Sequence, residues 1–210
     1  MLGPSAVIQF AQKLGISSPL SPDLSLAMGA SEVNLLELTS AYAVFPNGGS
    51  AVKPFGVMEV SDSNNRIIWK AKPERRVAMS MGGAAIMTDM LSAVIQEGTG
   101  RMAKSIQHPI AGKTGTTDDY KDALFIGFSP DIVVGVWVGQ DESETLGNGE
   151  TGARAALPIW KTFMAAILED QPFRYFGIPD GITQVRMDPK TGELVSTDFP
   201  GAVTILVKKK

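Results

Sequence analysis

The spacing of apolar residues along the chain predicts a first helix close to residue 1. Val7, Phe10 and Leu14 recur at intervals of three and four residues, which is the period of one helix face. Gly15 follows at once, and glycine commonly occupies the left-handed position that ends a helix. We therefore expect a helix over residues 4–15.

The same periodicity predicts three further helices, over residues 32–45, 83–97 and 157–168, the first of them capped by Ser31. Their expected buried faces are Leu35, Leu38, Tyr42 and Phe45 in the second helix, Met87, Met90, Leu91, Val94 and Ile95 in the third, and Ile159, Trp160, Phe163, Ala166 and Ile167 in the fourth.

Two apolar runs, Ala123–Phe128 and Ile132–Val138, predict adjacent strands joined by a short polar turn. Both runs are almost continuously apolar, which indicates a sheet covered on both faces. A shorter run, Ile110–Thr114, precedes them. Helices before and after three antiparallel strands predict an α+β fold, with an antiparallel β-sheet and helices on both faces.

The remaining segments predict smaller features. Phe55–Val60 and Arg66–Lys70 flank a polar turn and predict a hairpin, whereas Pro73–Arg76 reads as a charged, solvated link. After Pro172 the chain changes to short strand-like pieces. We therefore divide it into residues 1–170, the main domain, and residues 171–210, a small β-rich C-terminal appendage.

Composition excludes several classes of function. The net charge of -3 and the pI near 5.2 argue against a nucleic-acid partner. No apolar run is long enough to cross a membrane, and no signal peptide is apparent. Cysteine is absent, and His108, expected to be exposed at a strand edge, is the single histidine. Thiolate chemistry and multi-histidine metal sites are therefore excluded, and no metal or cofactor is expected.

The stretch Gly112–Thr117 carries the candidate chemistry. Lys113 supplies a fixed positive charge, and threonine hydroxyls can donate to an anion. Gly115 lets another backbone approach without an intervening side chain. Together these residues suit the binding of a carboxylate beside an extended peptide.

A second Lys-Thr-Gly sequence, Lys190–Gly192, shows how weak this motif is alone. It follows Asp188-Pro189 and reads as an ordinary hairpin turn. The first copy differs in its surroundings, because it lies between a long helix and two apolar strands.

The wider context of the first copy resembles the transpeptidase domain of class A penicillin-binding proteins. The resemblance spans roughly residues 5–190 and is carried in order by Val7–Ala11, Leu14–Ile16, Gly98–Gly100, Ala111–Thr117, Asp122–Pro130, Gly135–Gly139 and Glu150–Trp160. Proteins of this family use three motifs, S-x-x-K, S-x-N and K-T-G.

The resemblance implies part of a serine D,D-transpeptidase that cross-links peptidoglycan stem peptides through an acyl-enzyme and is acylated by β-lactam antibiotics. Lys113 and Thr116 would be catalytic, with the Thr116 N–H as an oxyanion donor. The substrate-binding residues would be Lys113, Thr114, Gly115, Thr116 and Thr117. Thr114 and Thr116 would hold the terminal carboxylate of D-Ala-D-Ala, and Gly115 would let the peptide lie along the strand.

The letters of the other two motifs occur at Ser50–Lys53 and at Ser63–Asn65, yet both matches are rejected on physical grounds. Two glycines precede Ser50, and Pro54 forces Lys53 towards an extended backbone, so serine and lysine cannot share a helical turn. Only 13 residues separate Ser50 from Ser63, too few for the intervening helices.

We therefore expect the nucleophilic serine, its lysine and the S-x-N pair to lie upstream of residue 1, in the missing N-terminal part of the same domain. The isolated chain would then be inactive, with exposed apolar faces on the helices at 4–15 and 83–97. Further upstream we expect a glycosyltransferase domain and a membrane anchor, which places the parent protein in the extracytoplasmic or periplasmic space.

Two alternatives share the Lys113–Gly115 strand. One is a catalytically inactive fold that binds peptidoglycan peptides or β-lactams, and the other is a D,D-carboxypeptidase or β-lactamase relative. The Glu150–Trp160 segment favours the class A transpeptidase.

Overall fold

A computed structural model describes residues 2–142 and 144–209 of the chain. The helices are α1 (Pro4–Leu14), α2 (Leu35–Ala43), α3 (Met81–Gln96) and α4 (Leu157–Leu168), with short helical turns at Leu24–Met28, Arg101–Ser105, Asp118–Tyr120 and Gly152–Ala156. The strands are β1 (Ser50–Val52), β2 (Glu59–Ser61), β3 (Ile67–Lys70), β4 (Arg75–Val77), β5 (Ala111–Thr116), β6 (Asp122–Phe128), β7 (Val133–Gly139), β8 (Ile182–Met187), β9 (Leu194–Val195) and β10 (Val203–Lys208).

The central sheet is antiparallel, with the strand order β5-β6-β7. Lys113 pairs with Ile126, and Ile126 pairs with Gly135 on its other side. The three predicted strands are confirmed, and β5 runs to Thr116, further than the apolar pattern indicated. The pattern failed there because the last residues of β5 are polar and small.

Helix α4 covers one face of this sheet. Trp160 is fully buried, its ring lies 4.9 Å from that of Phe125, and its Nε1 donates to the carbonyl of Val134 at 3.1 Å. Gly127 makes room for the indole, because a Cβ there would lie 2.6 Å from Trp160 Cζ2. A side chain at position 127 would therefore push the helix off the sheet.

Helix α2 covers the opposite face. Gly135, the partner of Ile126, lies under this helix, and a Cβ at Gly135 would lie 2.2 Å from the Thr39 hydroxyl oxygen. Because side chains alternate along a strand, Ile126 and Phe125 point to opposite faces. The predicted α+β architecture, with helices on both faces of an antiparallel sheet, is confirmed.

The buried face of α4 differs from the predicted one. Leu157, Trp160, Met164 and Leu168 are buried, whereas Ile159 is 53% exposed, Phe163 is 50% exposed and Ala166 is exposed. Only Trp160 was assigned correctly as buried. Apolar residues lie on almost every side of this helix, so periodicity alone could not select the face that meets Phe125.

Helix α3 packs on β5 and β10, and its N-terminus is capped by Ser80, whose hydroxyl accepts from the N–H of Gly83 at 3.1 Å. Leu91 and Ile95 are buried as predicted, but Met90 is 60% exposed. Its apolar face is therefore only partly covered.

Helix α1 has no buried residue, and Val7 and Phe10 are 43% and 41% exposed. The predicted exposed face on this helix is confirmed. Gly15 adopts φ 114°, so the predicted glycine end is also confirmed.

Helix α2 begins later than predicted. Its cap is Asn34, whose side-chain oxygen accepts from the N–H of Leu36 at 2.9 Å, and the assignment of Ser31 as cap is wrong. The Ser31 hydroxyl instead accepts from the N–H of Ser21 at 3.1 Å. Both residues are good caps, so the choice between them depends on contacts distant in sequence.

Two small two-stranded sheets lie outside the central sheet. The predicted hairpin is confirmed as β2 and β3, shorter than expected and joined by an ion pair of 3.5 Å between Glu59 and Lys70. Pro73–Arg76 is solvent-exposed, as predicted, but it is not only a link, because Arg75–Val77 forms β4 and pairs with β1. A charged segment can form a strand when its backbone pairs with a neighbouring strand, as β4 does with β1.

The C-terminal strands form a separate antiparallel sheet, ordered β10-β8-β9. It rests on α3, where the N–H of Leu206 donates to Asp89 at 2.9 Å and Ile182 is buried against Gly82. The strand expected at Val203–Val207 is confirmed.

A carboxylate on α2 ties down the loop that follows α1. Glu37 accepts hydrogen bonds from the hydroxyls of Ser17 and Ser18, and from both backbone N–H groups at 3.1 Å. These bonds, the Ser17 hydroxyl first and the Ser18 hydroxyl next, lower the pKa of Glu37 from 4.5 to about 2.

This carboxylate predicts an acid-sensitive contribution to stability. Because the folded-state pKa is depressed, the contribution is complete above pH 4.5 and is lost as the pH falls towards 2. Glu37→Gln should lower the melting temperature at neutral pH and flatten its decline below pH 4.5. Thermal melts of both proteins across this range check this result. Ser17→Ala should also flatten the decline of the melting temperature below pH 4.5. If this decline is unchanged in both variants, Glu37 is not the source of the acid sensitivity.

In the ranges that the structure describes, no helix combines the length and the apolarity needed to span a bilayer.

Candidate functional site

Strand β5 forms one edge of the central sheet. Its described pairing is with β6 alone, and the N–H of Thr117, just past its end, donates to the carbonyl of Asp122 at 3.1 Å. Backbone groups of successive residues alternate in direction along a strand. The N–H and C=O groups of Thr114 and Thr116 therefore point to the open edge, where an extended chain could pair with them.

The Lys113 ammonium lies at the same edge. The side chain is exposed, and its Nζ donates to the carbonyl of Thr114 at 2.8 Å. That carbonyl is one of the groups directed away from β6. The edge thus combines a positive charge with outward N–H groups, an arrangement suited to an anionic, extended ligand.

The hydroxyls of Thr114 and Thr116 project from the opposite face of β5 to Lys113, and each has one partner from outside the strand. The Thr116 hydroxyl accepts from the N–H of Gly152 at 3.1 Å. The Thr114 hydroxyl lies 2.8 Å from the hydroxyl of Thr99. Both threonines are therefore held by segments distant in sequence.

Gly152 rests directly on the backbone of the two strands. A Cβ there would lie 2.3 Å from the carbonyl oxygen of Leu124 and 2.4 Å from that of Gly115. Only glycine fits so close to the sheet. The sequence predicted that another backbone could approach Gly115 closely. In the structure, the backbone that lies against Gly115 is that of Gly152.

Thr117 takes part in a different set of contacts. Its hydroxyl accepts from the N–H of Asp122 at 2.8 Å and lies 3.2 Å from that carboxylate. The carboxylate also accepts from Trp137 Nε1 at 2.8 Å. These bonds close the turn between β5 and β6. They use the Thr117 hydroxyl within the protein, so substrate binding by Thr117 stays a prediction.

The Ser50–Lys53 pattern is not helical. Ser50–Val52 is strand β1, and Ser50 lines a cavity beside the turn at Pro130. Thr116 pairs with Ala123 at the other end of β6, about 20 Å away at the usual rise per strand residue. Ser63 lies in the turn between β2 and β3. The structure thus agrees with the physical grounds on which both patterns were rejected, a backbone that is not helical at Ser50 and a turn at Ser63.

The second Lys-Thr-Gly sequence is a turn, as predicted. Asp188 accepts from the N–H of Lys190 at 2.9 Å, and Gly192 adopts φ 74°. The same three letters thus form a strand at one position and a turn at the other.

His108 is not an exposed strand-edge residue. It lies in a bend before β5, is half-buried, and its ring is 5.5 Å from that of Phe173. Among residues 2–142 and 144–209, no cluster of three or more histidine or acidic side chains could hold a metal ion.

Sequence reasoning missed Thr99 and Gly152 as site residues. Gly98–Gly100 and Glu150–Trp160 were used only as segments that carry the resemblance, with no role in the site assigned to Thr99 or Gly152. The available signal was the flexibility that glycine gives the chain at these positions, but neither pattern shows which strand lies opposite.

Known proteins resemble this chain along most of its length. The family described as penicillin binding protein transpeptidase domain matches residues 11–165. Penicillin-binding protein 1A of Aquifex aeolicus is 40% identical over 207 residues, 99% of this chain and 28% of its own length. Penicillin-binding protein 1A of Pseudomonas aeruginosa is 32% identical over all of this chain and 32% of its own. The chain thus spans less than a third of these relatives.

Solved structures agree in fold. The crystal structure of penicillin-binding protein 1A from Haemophilus influenzae superposes with a TM-score of 0.88 at 28% identity, over 97% of this chain and 36% of that one. PonA1 from Mycobacterium tuberculosis, in complex with penicillin V, gives a TM-score of 0.72 at 22% identity, over 84% of this chain and 53% of that one. The second match supports the fold alone.

Proposed function

Since the chain belongs to the penicillin-binding protein transpeptidase family, and within it to class A, we propose that it forms part of a serine D,D-transpeptidase that cross-links peptidoglycan stem peptides and is acylated by β-lactams. The observation that carries the proposal is the open edge of β5, where the Lys113 ammonium and the outward Thr116 N–H lie together.

Each residue of this edge has a proposed role. Lys113 attracts the carboxylate of the stem peptide or of a β-lactam, and the hydroxyls of Thr114 and Thr116 donate to it. The substrate pairs with the open edge beside Gly115. The Thr116 N–H donates to the oxyanion formed when the carbonyl is attacked, a contact whose loss typically raises the barrier by about 2.7–4 kcal/mol.

We further propose that the nucleophilic serine comes from a segment other than residues 1–210. Ser50–Lys53 is the only Ser-x-x-Lys in the sequence, and its serine lies in a strand far from Thr116. The nucleophile, its lysine and the S-x-N pair then form the remaining parts of the site. Residues 1–210 alone are not acylated by β-lactams.

Mass spectrometry with penicillin tests this division of the site. The complete gene product containing residues 1–210 should gain one penicilloyl group, and peptide mapping should place it on a serine outside these residues. The 210-residue chain alone should gain none. An adduct on Ser50 would overturn the proposal, and reversible binding without an adduct would favour the inactive peptide-binding fold.

We also propose that residues 1–170 are the C-terminal part of the transpeptidase domain and that residues 171–210 are an appendage, which the end of the family match at residue 165 supports. The substrate is a cell-wall peptide, so the site faces the extracytoplasmic space, and the parent protein is held at the cytoplasmic membrane.

A further inference from the structure

The Gly98-Thr99-Gly100 turn after α3 is built so that only its middle residue can carry a side chain. The N–H groups of Gly98 and Gly100 donate to the carbonyl of Val94 at 3.1 and 3.0 Å. A Cβ at Gly98 would lie 2.9 Å from that same oxygen, and a Cβ at Gly100 would lie 2.8 Å from Ile95 Cδ1. The turn is therefore pressed onto the last turn of the helix, which fixes Thr99.

The Thr99 side chain reaches the candidate site. Its Oγ1 lies 2.8 Å from Thr114 Oγ1, a normal distance for a hydrogen bond between hydroxyls. Thr99 is exposed and Thr114 is half-buried, so a ligand at the edge of β5 can approach both.

A hydroxyl has one hydrogen to donate and two lone pairs that accept. If Thr99 donates to Thr114, the Thr114 hydrogen is free and points away from Thr99. If Thr114 donates to Thr99, the Thr99 hydrogen is free instead. In both cases the pair presents one oriented O–H group, and the hydrogen bond within the pair strengthens the next one.

We propose that Thr99 is a positioning residue for carboxylate recognition, and that its hydroxyl donates to that of Thr114 and so leaves the Thr114 hydrogen directed towards the ligand. This inference rests on the proposed function of β5. A hydrogen bond between two hydroxyls that water can reach contributes little to stability, since water satisfies both groups equally well after unfolding. Its effect is therefore expected in ligand binding and not in folding.

Acylation of the complete gene product by penicillin tests the proposal, with the dissociation constant of the initial complex measured separately from the rate constant of acylation. Thr99→Val keeps the shape of the side chain and removes the hydroxyl. It should weaken the initial complex about 3- to 10-fold, the usual worth of one hydrogen bond, and change the acylation step less than about 2-fold. Thr99→Ser should restore binding.

Two controls separate this role from a structural one. Thr191→Val, in the second Lys-Thr-Gly sequence, also removes a bonded hydroxyl, there 3.2 Å from Asp188, and should leave binding unchanged. Penicillin methyl ester lacks the carboxylate, so Thr99→Val should impair its acylation less than about 2-fold.

The outcomes are distinct. The positioning role is overturned, and the proposed function stands, if Thr99→Val binds penicillin as tightly as the unsubstituted protein or if its acylation rate constant falls as much as its affinity. The same holds if Thr99→Ser does not restore binding, or if Thr99→Val impairs the reaction with the methyl ester as much as that with penicillin. If the unsubstituted gene product forms no penicilloyl adduct, the proposed function fails and this inference fails with it.

Discussion

Replacement of Lys113 by alanine is expected to slow penicillin acylation of the complete gene product by roughly 10²- to 10³-fold, the usual loss when one preorganised electrostatic group is removed from a site. The ammonium lies at the open edge of β5, bonded to the carbonyl of Thr114, and is the positive charge nearest in sequence to the proposed oxyanion donor. The measurement is the second-order rate constant of adduct formation, followed by intact mass.

The chain supplies a matched control for this experiment. Lys190 has the same two following residues as Lys113 but lies in an exposed turn closed by Asp188. The Lys190→Ala variant should therefore be acylated by penicillin at the same rate as the unsubstituted protein. Equal losses in the two variants would show that the effect reports general charge or folding, and the role of Lys113 would be withdrawn.

Replacement of Trp160 by alanine is expected to cost about 3–5 kcal/mol of folding free energy. The indole is fully buried between α4 and the sheet, packs on Phe125 and donates to the carbonyl of Val134. Its removal leaves a cavity and removes one hydrogen bond to the carbonyl of Val134. Urea unfolding of the 210-residue chain, followed by circular dichroism, measures the loss.

Trp69 provides the comparison for this second effect. It lies on the β2–β3 hairpin and is 49% exposed, so Trp69→Ala should cost about 1 kcal/mol or less. If both substitutions cost the same, the packing of α4 on the sheet would not be the main source of stability.

The sequence predicted the central sheet well because its strands carry their own signal. β6 and β7 are apolar almost throughout, and that pattern follows from being covered on both faces. The start of α2 and the buried face of α4 could not be predicted in the same way. Two good caps precede α2, and apolar residues surround α4, so contacts with other elements decide both.

The strand that carries the candidate site was found from residue chemistry, whereas the groups that hold it were not. Lys113, Thr114 and Thr116 stand out as an unusual local combination. Thr99 and Gly152 reach them from segments that the chain brings close only on folding. β4 was missed for the same reason, because its charged residues become a strand only through pairing with β1.

The contact between Gly127 and Trp160 bears on how this sheet and helix can evolve. No Cβ fits at Gly127 while the indole occupies its place, and a smaller residue at Trp160 would leave a void while Gly127 stays bare. Neither position can change by itself without moving backbone. The two positions are therefore expected to co-vary, so that a larger residue at position 127 is found together with a smaller one at position 160.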